Sequence, residues 1–402
     1  MERGATPAIV LLGVAFTVWA MSAVRAQEQL LDVIDRSHSA IRYAEPSHDP
    51  VASFLRTAAA SRLTSEGPSG YLASLLRALD VPVTSQMLVF SKGSVQRPLI
   101  EARNPRALYF NDSVVVGWVR GGFIEIAAQD ARQGTVFYRA LPGAGGLSIT
   151  RSDECLSCHH SARTAGVAGV IEPMSHARPL ERRWGGWYVT GNAGSIQHYG
   201  NVDVAALTSG ASVPTTPKLM SLDHMFDTRG YLSPYSDVAA LMVFEHQMQM
   251  MNLLTRLGWE TRIAQNEGRL DRSTDAIKSI VEQAADYMLF IDEAPIPAPI
   301  AGSTGFAEAF SSSGPRDGKG RSLRQLDLTS RLLRYPCSYT IYSAQFEQLP
   351  AMAKLALYQR LWTILSGRES NGRYRRLTPA DRRAIIDILR ATKSDLPSYF
   401  RT

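Results

Sequence analysis

Cys155-Leu156-Ser157-Cys158-His159, followed by His160, constrains this chain more than any other stretch. Two thiols three residues apart, with an imidazole directly after them, match the covalent attachment site of a c-type haem. Each sulfur can add to one vinyl group, and the histidine then lies against the iron. On that reading Cys155 and Cys158 hold one covalent haem c per chain and His159 is its proximal axial ligand. The same Cys-x-x-Cys core also serves thioredoxin-like dithiols and zinc sites. A zinc site needs a second ligand pair, and the one further cysteine, Cys337, stands alone, where a small buried hydrophobe is the simpler account. A thioredoxin-like dithiol belongs in a strand-to-helix turn of a βαβ unit, and the flanks Thr150 to Glu154 and Ser161 to Arg163 do not read that way.

The N-terminus reads as an export signal. Arg3 precedes an apolar run from Ala8 to Met21, and Val24-Arg25-Ala26 supplies small residues for cleavage, so the mature chain is expected to begin at Gln27. The run is short for a membrane span, and stable membrane insertion is not expected after cleavage; an uncleaved anchor is the alternative. Export agrees with the haem motif, because c-type haem is attached outside the cytoplasm, in bacteria in the periplasm. The formal charge of +6 over 402 residues is a mild excess. It suits an acidic redox partner, and with no basic run interleaved with aromatics it does not argue for nucleic acid.

Along the chain, Val51 to Arg62 and Tyr71 to Leu79 carry helical periodicity. Ser113 to Val119, Phe123 to Ala128 and Thr135 to Arg139 are strand-like and form a meander that should pack on the helices. Between Ala162 and Asn201 lie seven glycines, which reads as an irregular segment lying close to a large flat cofactor. Trp184-Gly185-Gly186-Trp187-Tyr188 is either core packing at a tight turn or a lining for a haem face. The second half is helical: a helix capped by Ser236 and ending before Gly258, then Thr274 to Phe290, Pro350 to Ser366, and Pro379 to Thr392 with Thr378 as N-cap. The expected fold is mainly α with a small antiparallel β meander, and the haem-binding segment lies in an irregular Gly-rich region. The expected organisation is a signal peptide over 1–26, helices and meander over 27–145, the haem-binding segment over 146–234 and a helical region over 235–402.

Phe110 to Ser113, Val116 to Arg120, Cys155 to His160, Arg183 to Gly191, His198 to Asn201 and Leu241 to Arg256 together give the chain a family likeness. It resembles, over nearly its full mature length, exported bacterial proteins described as cytochrome c domain-containing. The resemblance implies covalent haem and little about a reaction, and it implies histidines at the places of His176 and His198.

The second axial ligand decides much of the chemistry, since methionine raises the reduction potential, a second histidine lowers it, and an open position admits small ligands. Candidates are Met174, His176, His198, Met220 and His246, with His176 and His198 preferred. His246 points inward on its helix, where a hydrogen-bonded core histidine is the commoner case, and His160 cannot easily reach the opposite face. The expected function is one-electron transfer by an exported monohaem cytochrome. The alternatives are a peroxidase-type haem enzyme, with His198 or Arg183 assisting, and a gas or redox sensor with an open axial position.

Overall fold

Six strands pair in strict chain order into one antiparallel sheet: β1 (Met87–Val89), β2 (Arg106–Phe110), β3 (Val114–Trp118), β4 (Ile124–Asp130), β5 (Gly134–Gly143) and β6 (Gly146–Arg151). The structure is a computed structural model that describes residues 32–171, 175–202, 218–369 and 371–401. The expected signal peptide and Met174 lie outside the described residues. Nine helices accompany the sheet among the described residues, so the architecture is mixed α/β. They are α1 (Pro50–Leu55), α2 (Leu72–Ala78), α3 (Leu156–His159), α4 (Val238–Asn266), α5 (Leu270–Met288), α6 (Phe306–Ser312), α7 (Ala344–Glu347), α8 (Ala351–Leu365) and α9 (Pro379–Thr392). The three expected strands correspond to β3, β4 and β5. The sheet is twice the expected size because β1, β2 and β6 join it, and Leu141 to Leu147 form the end of the β5–β6 hairpin.

Side chains alternate across a strand with period two, and this sheet uses both faces. Val114, Val116, Trp118, Ile124, Ile126, Ala128, Val136 and Tyr138 point to one side, where they bury Leu72, Leu75 and Leu76 of α2 and Val51 and Phe54 of α1. Met87, Leu108, Phe110 and Val115 point to the other, toward the largest apolar cluster around α4. That cluster also takes in Val170, Trp184, Leu361 and Ile388, so residues of all three expected segments share one core.

The organising helix is α4. It is buried on nearly every side, as suits a helix surrounded by protein, and the buried set includes the polar Glu245, His246, Gln247, Asn252, Thr255 and Arg256. It runs through Gly258 to Asn266, past the expected stop, because packing on all sides outweighs the roughly 1 kcal/mol that an interior glycine costs. Asp237 is its N-cap, accepting from Ala240 N at 2.9 Å. Ser236, expected in that role, instead donates to Tyr188 O at 2.6 Å and accepts from Leu88 N at 2.8 Å. Thr378 caps α9 as expected, in a capping box with Asp381. Among the described residues no helix is long and apolar enough to cross a membrane.

A candidate haem site at the Cys-x-x-Cys-His turn

The motif folds as one helical turn, α3, led in by a short 3-10 turn over Asp153–Cys155. Positions three and four apart share a helix face, so Cys155, Cys158 and His159 lie on one side of the turn. Leu156, on the other side, is buried with Tyr43, Trp259 and Phe137. That anchor turns the two thiols and the imidazole toward a cavity of about 760 Å³ lined by all three, within the range of roughly 300–1,000 Å³ usual for cofactor pockets. Cys158 is exposed at its edge and Cys155 is partly buried.

His159 is oriented from behind. Its Nδ1 lies 3.0 Å from Gly169 O, a carbonyl that can only accept, so Nδ1 carries the proton and Nε2 presents a lone pair. Burial holds the ring below the ordinary imidazole range, and the charges of Arg106 and Arg163 push the same way, so it is neutral at pH 7. A neutral imidazole whose other nitrogen donates to a backbone carbonyl is the usual state of a metal-ligating histidine. The Phe137 ring sits 4.9 Å from the imidazole.

Gly169 is held on both sides. Its N–H donates to His159 O at 2.9 Å, and a Cβ there would fall inside van der Waals contact of Asn252 Oδ1 on α4. Asn252 Nδ2 in turn donates to Val170 O at 2.9 Å. Gly169→Ala should therefore cost about 1–3 kcal/mol by overpacking, read as a fall in urea midpoint. Adding Asn252→Ala should return part of that loss; strictly additive costs would refute the contact.

The remaining wall comes from the sheet and from two crossing segments. Val89, Arg106, Leu108, Val115, Gly117, Glu125, Ala127 and Phe137 all lie on the sheet face away from α1 and α2. Gly185, Trp187, Val170 and Phe244 complete the lining, with Trp187 beside β1 through its bridge to Val89. Of the two tryptophans singled out in the sequence, Trp187 lines the cavity. Trp184 is core instead: it adopts φ 72°, and its Nε1 donates to Glu245 Oε1 at 3.0 Å.

The other candidates are elsewhere. His176 stacks on Tyr287 at 3.9 Å with its Nδ1 3.1 Å from His246 Nδ1. His246 Nε2 reaches Ser338 Oγ at 2.8 Å. His198 lies against the Trp184 ring at 5.1 Å, and Arg183 pairs with Glu245 at 3.3 Å. None of these four side chains lines the cavity. Met220 is 62% exposed, and His160 is held by Ile34 O at 2.8 Å. The structure thus brings Cys155, Cys158 and His159 together and does not bring His176 or His198 to them. Of the glycines in this segment, Gly185 lines the cavity, while several others, such as Gly169, stand where a Cβ would meet the chain's own backbone or side chains.

The rival chemistries find less support. Burial, with Glu125 adding, pushes the Cys155 thiol up, opposite to the lowered value of a reactive dithiol. Among the described residues no three His, Cys, Asp or Glu side chains converge as they would for a bare ion. Sequence reasoning did not place Arg106, Gly117 or Glu125 at the site, and it met Gly169 only as one of the seven glycines between Ala162 and Asn201. The available signal was two charges and a glycine interrupting otherwise apolar strands. Comparison with protein-family models, curated proteins and solved structures finds no match to the chain.

Proposed function

We propose that this chain is an exported monohaem c-type cytochrome that carries one electron on a haem bound through Cys155 and Cys158, with His159 as an axial ligand. The observation that carries this reading is the Nδ1 contact of His159 with Gly169 O at 3.0 Å, beside a cavity of about 760 Å³ that both cysteines line. When bound, the haem supplies a ferric/ferrous couple. The chain's own residues fix the imidazole tautomer, exclude water with Phe137, Trp187 and Phe244, and leave Cys158 at the surface, where a redox partner could approach an edge of the group. The periplasm, an acidic partner protein and cleavage before Gln27 belong to the same proposal.

A second reading rests on one observation: among the described lining residues His159 is the single imidazole and no methionine takes part. An iron with an open face would suit a peroxidase-type enzyme or a gas sensor.

The test is periplasmic expression with haem maturation. The mature protein should gain the mass of one haem that acid-acetone does not extract, and Cys155→Ala with Cys158→Ala should abolish the gain. An unmodified mass, or bound zinc, would refute the reading. Rapid carbon monoxide binding by the ferrous protein would replace electron transfer with the second reading. Since His176 and His198 line no part of the cavity, His176→Ala and His198→Ala should leave the spectrum unchanged.

A further inference from the structure

On the sheet face that walls the cavity, β2, β3 and β4 set Arg106, Gly117 and Glu125 beside one another. Gly117 pairs with Leu108 on one side and with Glu125 on the other. The Arg106 side chain reaches across the strand at Gly117, where there is no side chain to stop it, and its Nε comes within 2.9 Å of Glu125 Oε2. A Cβ at Gly117 would sit 2.9 Å from Arg106 Nε and 3.1 Å from Glu125 Oε2, so any other residue would push the pair apart. The two atoms lack the alignment of a hydrogen bond, and the contact is a charge pair. The other oxygen, Glu125 Oε1, accepts from Ser94 Oγ at 2.8 Å, tying the pair to the loop over the cavity.

Arg106 is only 20% exposed and Glu125 16%. A guanidinium has five N–H donors, and among the described residues Glu125 is its one partner. A mostly buried arginine with donors left over is costly unless something else accepts from them. Lys92, Arg97 and Arg163 also line the cavity, against Glu125 and Glu154, and Glu154 is taken by Arg139. The cavity therefore holds an excess of positive charge, and a planar fork facing it matches a carboxylate.

We propose that Arg106 is the carboxylate anchor of this cavity, held in place by Glu125 and given room by Gly117, and that it takes a propionate of the bound haem on the donors Glu125 leaves. This rests on the haem reading above. The same pair is then an electrostatic control on the iron. The Arg106 cation disfavours the ferric state and the Glu125 anion favours it, since both line the same cavity as His159.

The test uses the haem-loaded protein and reads the midpoint potential alongside the intact mass. Arg106→Gln should lower the midpoint and Glu125→Gln should raise it, each by about tenfold in the ferrous-to-ferric ratio, ~59 mV for one electron. The double variant should return between them. If Arg106→Gln does not accumulate, Arg106→Lys keeps the charge and loses the fork, and a smaller downward shift is expected. Shifts of the same sign, or none, with haem attached would overturn the role of Arg106 and leave the haem reading standing. A wild-type mass without haem would overturn the reading itself.

Discussion

Glu245→Ala is expected to cost about 3–5 kcal/mol, the range for removing one partner of a buried ion pair and a large share of a typical domain's stability. Glu245 sits fully buried on α4, accepts from Trp184 Nε1 at 3.0 Å and pairs with Arg183 at 3.3 Å. Arg183 is itself buried and spends its other donors on Arg178 O at 2.7 Å and His176 O at 2.6 Å. Removing the carboxylate leaves that guanidinium uncompensated and also leaves an indole N–H without its acceptor. Glu245→Gln keeps an acceptor for Trp184 and should lose less. Replacing both charges, Arg183→Met with Glu245→Leu, should recover most of the loss, because an apolar pair of similar volume avoids the desolvation penalty. Urea unfolding of the four proteins decides it; a loss below about 1 kcal/mol for Glu245→Ala would mean the pair is solvated.

The second large effect is acid destabilisation. Burial drives the folded-state affinity of three histidines for protons down: to about 4 for His198, to about 3 for His246, and well below the ordinary value for His176, where the charges of His246 and Arg183 add. The unfolded chain takes up these protons near pH 6.5 while the folded chain refuses them. Their contribution is therefore complete above about pH 6.5 and falls as the pH drops toward the folded values, by about 1.4 kcal/mol per pH unit for each group. Glu293 works in the opposite sense. Burial raises its carboxyl to about 7, so the folded chain binds that proton first and regains about one histidine's worth between pH 7 and its unfolded value near 4.5. The net slope from pH 6 to pH 5 should still be steeply destabilising. His198→Gln should reduce it by one group; a flat urea midpoint from pH 7 to pH 5 would show that these rings are not buried as neutral imidazoles.

What the sequence made legible divides along the range of the interactions. The Cys155, Cys158 and His159 grouping is local, three residues within one helical turn, and spacing alone identified it. The β-branched runs of β3 and β4 were equally plain. β1 has only three residues, β2 follows Pro105, and β6 is an edge strand opening on Gly146, so none carries enough alternation to stand out. The extent of α4 was set by its neighbours, which hold the helix through Gly258. The cavity wall was least legible because strand register makes it: Arg106, Gly117 and Glu125 meet only once β2, β3 and β4 have paired. The preference for His176 and His198 followed from the family resemblance and from glycines read as letting the segment fold back across a flat ring; at Gly169 that room is taken by Asn252.

The single rod α4 reaches each of these parts. Phe244 closes the cavity, Glu245 fixes the segment leading to Trp187, Asn252 holds the chain that orients His159, and Arg256 reaches Ala165 O at 3.2 Å. Walls hung from one rigid, largely buried support have few independent ways to shift. A charge appearing or vanishing inside the cavity would meet dipoles that stay where they are. Under the electron-transfer proposal that means a small reorganisation energy, the property that lets exchange run fast at modest driving force.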